Sequence, residues 1–283
     1  MILRSLPTTC PSLESFGFHL SCHFSSRLGP WSATLALPVW YAIQNLQKLR
    51  IINVPVITND ALTHLGGLSS FTSIKTRLPT GSDLEDILYS SRDPILFKNF
   101  DSVDWEIEVW GDVEVFTRLW PHKLTSVSLQ SQVRFDSSLF QEFFLSLHMR
   151  EAFKNLQYIH VRESFLDPFP TDTTMTIDTI RPLFCLSHLR IVEIDTSSGF
   201  SIDEDDLEEI GGAWPYLEVL YLNMTNGYMY EQLRVSLPGI VRFVERYPGL
   251  KKLCIGATIS SVVDLETASL YALEPRDSDS WSA

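Results

Sequence analysis

Four consecutive acids, Asp203, Glu204, Asp205 and Asp206, followed by Glu208 and Glu209, make the densest set of cation-competent ligands in the chain. Calcium loops place carboxylates at alternating positions around a glycine that makes the sharp turn. Here the acids are contiguous and no glycine interrupts them. The run reads instead as a helix start ahead of Leu207 and Ile210, favoured by the positive end of the helix dipole. A second cluster, His19, Cys22 and His23, offers zinc-type donors. Zinc takes four ligands, usually in two spaced pairs, and only Cys10 stands as a distant fourth. No nucleophile or phosphate motif is present: there is no G-x-S-x-G, no phosphate-cradling glycine loop and no H-E-x-x-H. The chain therefore reads as a non-enzyme with no cofactor, no metal and no catalytic residue.

The elements that position every side chain come from a repeat. A short pattern, apolar-x-x-apolar-x-apolar, recurs nine times: Leu13/Phe16/Phe18, Leu46/Leu49/Ile51, Phe71/Ile74/Thr76, Phe100/Val103/Trp105, Leu124/Val127/Leu129, Leu156/Ile159/Val161, Leu189/Val192/Ile194, Leu217/Leu220/Leu222 and Leu250/Leu253/Ile255. Successive copies begin 24 to 33 residues apart. That recurrence predicts an α/β leucine-rich repeat solenoid. The last two anchors lie two residues apart and share one face of a short strand. Helical apolar faces fall between strands: Ala61, Leu62 and Leu65, capped by Thr58; Leu139, Phe140, Phe143, Phe144 and Leu147; Ile177, Ile180, Leu183 and Phe184; and Ile240, Val241, Phe243, Val244 and Tyr247. Prolines 11, 121, 215 and 248 precede strands and stop the preceding helix. Gly66-Gly67 and Gly211-Gly212 sit where a left-handed helix C-cap is expected. The repeat domain is expected over 1–260, with a disordered tail over 261–283.

In this frame the residues flanking the anchors line the concave face. Lys48, Arg50, Lys75 and Arg77 would form one basic patch, with Asp104, Glu106 and Glu108 beside it as an acidic one. Tyr158, His160, Arg162 and Tyr221 add residue types enriched at binding hot spots. Two readings of the charges stay open: the basic patch grips an acidic or phosphorylated segment, or Lys75 and Arg77 pair with Asp104 and Glu106 on the neighbouring strand.

A net charge of −13 argues against nucleic acid or an anionic membrane as the main partner. No apolar run approaches a membrane span and no signal peptide is apparent. Cys10, Cys22, Cys185 and Cys254 are scattered, as reduced core residues are. Asn223-Met224-Thr225 fits a glycosylation acceptor, a triplet common by chance. The expected location is cytoplasmic or nuclear.

Certain segments resemble the leucine-rich repeats of F-box-type proteins of mushroom-forming fungi. They are Thr176 to Leu183, Leu189 to Ile194, the acidic start Asp203 to Leu207, Ala213-Trp214-Pro215-Tyr216-Leu217-Glu218-Val219-Leu220, and Tyr247-Pro248-Gly249-Leu250-Lys251-Lys252-Leu253. The resemblance implies a ribonuclease-inhibitor-like horseshoe whose repeats hold the substrate of a ubiquitin ligase while the F-box binds the adaptor. No F-box precedes the repeats, so adaptor binding is not expected of this chain. It reads as starting inside the array, with Leu3, Leu6, Leu13, Phe16 and Phe18 open at the N-terminal end and self-association as the consequence. The Asn or Cys that usually follows each strand is irregular. The functional expectation is a protein-binding module; the alternative is a truncated remnant without an independent partner.

Overall fold

The computed structural model describes residues 2–18, 29–77, 97–107, 124–131, 137–149, 153–163, 174–223 and 234–256. His19, Cys22, His23, Glu108, Trp120, Pro121 and the segment 261–283 lie outside them.

Eleven strands are described: β1 Ser15–Gly17, β2 Ile51–Asn53, β3 Ser73–Arg77, β4 Ser102–Ile107, β5 Ser126–Ser131, β6 Tyr158–Glu163, β7 Thr174–Thr176, β8 Ile191–Asp195, β9 Gly199–Ser201, β10 Val219–Leu222 and β11 Lys252–Cys254. Nine of them form one open, all-parallel sheet in the order β1-β2-β3-β4-β5-β6-β8-β10-β11, which is chain order. β7 and β9 pair separately, also in parallel. Parallel neighbours need a crossover on one side of the sheet. The helices are α1 Ile2–Thr9, α2 Gly29–Ile43, α3 Asn59–Gly67, α4 Ser137–His148, α5 Ile177–Ile180, α6 Glu204–Ala213 and α7 Leu237–Arg246, with a 3₁₀ turn at Arg181–Cys185. They pack on one another in sequence, α1 on α2, α2 on α3, α4 on α5 and the 3₁₀ turn, and α6 on α7.

Local chemistry sets the helix ends. Thr58 accepts from Ala61 N at 3.2 Å and caps α3. The acidic run starts α6: Asp203 and Asp206 form a reciprocal capping box, each accepting the other's backbone N–H at 3.0 Å. Ser236 caps α7 and accepts from Gly239 N at 3.1 Å. The Ile177–Phe184 face is split into α5 and the 3₁₀ turn, with Pro182 at the turn's first residues.

The two glycine pairs are not left-handed caps. α3 and α6 run through them to C-caps at Leu68 and Trp214, and Gly67, Gly211 and Gly212 all lie outside the left-handed region. Gly211 answers to close packing instead: a Cβ there would sit 2.1 Å from the ring of Tyr247, the C-cap of α7.

One frame of the repeat is also corrected. β2 pairs Ile52 with Phe16 and Ile74, so the second copy is Leu49/Ile52/Val54, not Leu46/Leu49/Ile51. This stretch offers two apolar frames offset by an odd number of residues, and such an offset exchanges the two faces of a strand. The observed frame buries Leu46, Leu49, Ile52 and Val54 and leaves only Ile51 exposed. The other eight copies pair in the expected register.

Burial alternates along the strands, most plainly in β4 and β6. Val103, Trp105, Val127, Leu129, Ile159, Val161, Val192, Ile194 and Leu220 join Phe140, Phe144, Leu207 and Phe243 of the helices in one core. Parallel sheets are usually covered on both faces. Here alternate strand residues stay partly accessible, so one face is left open. At the C-terminal ends of β8 and β10 the core turns polar. Asn223, buried and at φ 55°, accepts from Thr196 N at 3.0 Å and donates to Ser198 O at 2.7 Å. Glu163, wholly buried, accepts from Ser197 N at 2.6 Å.

Candidate functional site

The register fixes which side chains meet on the open face. One row runs Asn53, Lys75, Asp104, Ser128, His160, Glu193, Tyr221, Cys254. A second, two residues further along the strands, runs Arg77, Glu106, Gln130, Arg162, Asp195. Tyr158 occupies the row before, beside Ser126 and Ile191. Of the ten residues predicted for this face, Lys75, Arg77, Asp104, Glu106, Tyr158, His160, Arg162 and Tyr221 are on it.

Lys48 and Arg50 are not. The frame of β2 puts Lys48 in the turn before the strand and Arg50 one residue ahead of it, where its carbonyl accepts from Thr72 N and Ser73 N. Arg50 lies 3.6 Å from Glu14. The four-residue basic patch therefore does not form. What remains of it is paired across strands: Lys75 with Asp104, and Arg77 with Glu106 at 2.7 Å. Arg77 is 5% exposed, so it belongs to the packed interior, contrary to its expected surface role.

A shallow hollow of about 390 Å³ opens at the middle of the face, lined by Lys75, Asp104, Ser128, Tyr158, His160 and Arg162 among others. Its floor is a polar chain. Ser128 Oγ donates to Asp104 Oδ1 at 3.1 Å and lies 3.3 Å from His160 Nδ1. With its one proton given to Asp104, Ser128 accepts from Nδ1–H, which leaves Nε2 of a neutral imidazole as an acceptor. Burial holds the His160 pKa below its usual value, against the opposing pull of Glu193, Asp104 and Asp195. A serine nucleophile needs the imidazole between hydroxyl and carboxylate; here the hydroxyl is the middle member. The arrangement suits hydrogen bonding to a bound group.

Glu193 flanks the anchors Val192 and Ile194 and is expected on this face, but not among its ten binding residues. It adjoins His160 on one side and Tyr221 on the other. Tyr158 Oη donates to Glu193 Oε2 at 3.2 Å, and the Tyr158 and His160 rings lie 6.2 Å apart. Burial first, then the Glu193 charge, raises the Tyr158 pKa, so the phenol stays protonated. Arg162 reaches Asp195 at 3.9 Å.

A second hollow, of about 490 Å³, lies where the chain approaches β8, β10 and β11. His188 and Tyr216 stack at 6.2 Å with rings 14° from parallel, beside Gly249 at the next equivalent position. Arg190 and Lys251 both pair with Glu218 and hold its carboxyl pKa below the usual range. The approaches to β10 and β11 share x-Pro-x-Leu, which reads as a helix stop, whereas β8 has Ser187-His188-Leu189 without a proline, and only the register shows that His188, Tyr216 and Gly249 line up.

Among the described residues, no group of three or more His, Cys, Asp or Glu could hold a metal, and no helix is long and apolar enough to cross a membrane. The chain matches no protein-family model and no curated protein.

Proposed function

We propose that this protein is a non-enzymatic protein-protein interaction module. Its nine strand units are leucine-rich repeats of one ribonuclease-inhibitor-like solenoid, and its open sheet face receives the partner. The reading takes the chain as similar to the substrate-recognition repeats of an F-box receptor, acting in the cytoplasm or nucleus, with neither nucleic acid nor a membrane as partner. One observation carries it: an all-parallel sheet in chain order buries alternate strand residues against the core and keeps the others partly accessible, and the accessible side carries a hollow lined by Tyr158, His160, Arg162 and other polar groups. Large rigid aromatics and Arg are the residue types that dominate binding energy at protein interfaces. A row of cross-strand neighbours also presents them at the regular spacing of about 4.8 Å that an extended surface needs.

The acidic or phosphorylated partner loses its motive once Lys75 and Arg77 are paired and Lys48 and Arg50 lie off the face. The test is selection of peptide ligands by display on the folded chain, followed by hydrogen exchange of each complex. Protection is expected at Tyr158–Glu163 and Ile191–Asp195. Ligands that protect only the helix layer would overturn the reading, and failure to select any would favour a remnant without a partner.

A further inference from the structure

We infer that the open face binds its partner through an arginine side chain seated on Glu193 between Tyr158, His160 and Tyr221. The inference rests on the open face being the protein-binding surface and names the chemistry of what binds there.

Charge pairing is uneven along the two open-face rows that follow Tyr158. Their carboxylates among the described residues are Asp104, Glu106, Glu193 and Asp195. Three have a cation of the chain: Asp104 has Lys75, Glu106 has Arg77, and Asp195 has Arg162. Among the described residues, Glu193 has no Lys or Arg within ion-pair distance, and its one hydrogen-bond partner is the neutral Tyr158 hydroxyl on Oε2. A carboxylate in a half-buried setting that is not ion-paired is costly, and a partner's cation relieves that cost.

The neighbours of Glu193 select the cation. Tyr158 and Tyr221 are aromatic, and a cation near a tyrosine face is attracted by the ring quadrupole. Neutral His160, the cross-strand neighbour of Glu193, offers Nε2 as a further acceptor. Arginine suits the set better than lysine: its planar guanidinium stacks on a ring while its fork of donors reaches a carboxylate and a second acceptor together. The chain's net charge of −13 attracts such a partner from a distance.

The probes are three fluorescein-labelled peptides of one length, bearing arginine, glutamine or glutamate at the same positions, with binding read by fluorescence anisotropy. The arginine peptide is expected to bind at least about tenfold tighter than the glutamine peptide, in line with a desolvated cation–π and ion-pair contact, and Glu193→Gln is expected to abolish that preference. Asp205→Asn, on the far side at the start of α6, removes the same charge from the protein and is expected to leave binding unchanged. Equal losses from E193Q and D205N would reduce the effect to general attraction and overturn the inference. So would absence of arginine preference in the native chain, a result that does not depend on any variant folding. A lysine peptide binding as well as the arginine one would overturn the arginine assignment. If display ligands protect the open face yet lack arginine, this inference fails while the binding-module reading stands; if no ligand protects that face, the module reading fails as well.

Discussion

The two halves of the open face are built from the same strand geometry and end in opposite states. On β3 and β4 every charge meets its complement one strand away: Lys75 faces Asp104 and Arg77 faces Glu106, in direct register. From β6 to β10 the second row still pairs Arg162 with Asp195, but the first carries His160, Glu193 and Tyr221, and among the described residues the carboxylate at its centre has only a phenol as hydrogen-bond partner. A parallel ladder brings equivalent positions side by side, so a sign change between consecutive repeats closes the face on itself. Where one repeat supplies an acid and its neighbours supply rings, the face stays open to a partner.

The sharpest break of this comparison is at Arg77. Its guanidinium is packed inside the closed half against Glu106, and removing one member of a buried pair typically costs about 3–5 kcal/mol. Arg77→Glu puts two acids in contact there, so denaturant unfolding of that variant is expected to show a loss of at least that order. A variant as stable as the native chain would mean that Arg77 swings free and the closed half is not closed.

Asn223 makes the matching test at the end of the open half. Asn223→Ala strands Thr196 N–H in the core, takes one of two donors from Ser198 C=O, which keeps the Thr196 hydroxyl at 3.1 Å, and keeps a non-glycine residue at φ 55°. One buried donor left without its partner costs about 1–3 kcal/mol, and the donor lost from Ser198 C=O adds to it, so a loss of roughly 2–3 kcal/mol is predicted. Asn223→Gly should lose nearly as much, because the left-handed backbone is a smaller part of the cost than the two hydrogen bonds. Recovery by glycine would make the backbone, not the polar network, the function of this residue.

These two residues also mark how much was legible in the sequence. The periodic anchors predicted strand positions in eight of nine copies because every other frame would expose several large apolar side chains. The second copy failed because Leu46, Leu49, Ile51, Ile52 and Val54 satisfy two frames, and only pairing with Phe16 and Ile74 chooses between them. That single slip carried Lys48 and Arg50 onto a face they do not occupy. Cross-strand pairing was visible as an alternative, but burial of Arg77 was not, because the pattern gives the face of a residue and not the depth of its neighbours. Glu193 was hidden for the same reason: an acid becomes distinctive only when the pairing of every other acid on its face is known.

The halves touch at Ser128, and His160 reports across that seam. Its imidazole is held below the usual pKa of 6.5 by burial, while Asp104 of the closed half and Glu193 of the open half both pull it upward. The native state therefore binds its proton less readily than the unfolded chain. The neutral ring's contribution is complete above about pH 6.5 and stability falls as pH drops below that value toward the native pKa. His64, also lowered by burial, acts in the same direction, so the His160 part is the difference between the native chain and His160→Gln. Asp104→Asn and Glu193→Gln should each lower the His160 pKa further, read from its ring-proton shifts by NMR. A shift with one variant only would show that the hydrogen-bonded chain through Ser128 does not couple the halves.

The smallest effect on stability should give the clearest functional contrast. Lys75 is about half exposed and its pair with Asp104 is the solvent-facing one, so Lys75→Ala is expected to change stability by only about 0–1 kcal/mol. The same change leaves Asp104 with Ser128 as its partner, much as Glu193 is left with Tyr158. The closed half then acquires the feature that sets the open half apart. If an unpaired carboxylate on this face is what a cation seeks, Lys75→Ala should bind the arginine peptide more tightly than the native chain. Lys75→Ala combined with Asp104→Asn should return to the native value. A gain that persists in the double variant would trace to general charge. No gain in the single variant would mean that the rings around Glu193, which Asp104 lacks, are required along with the charge.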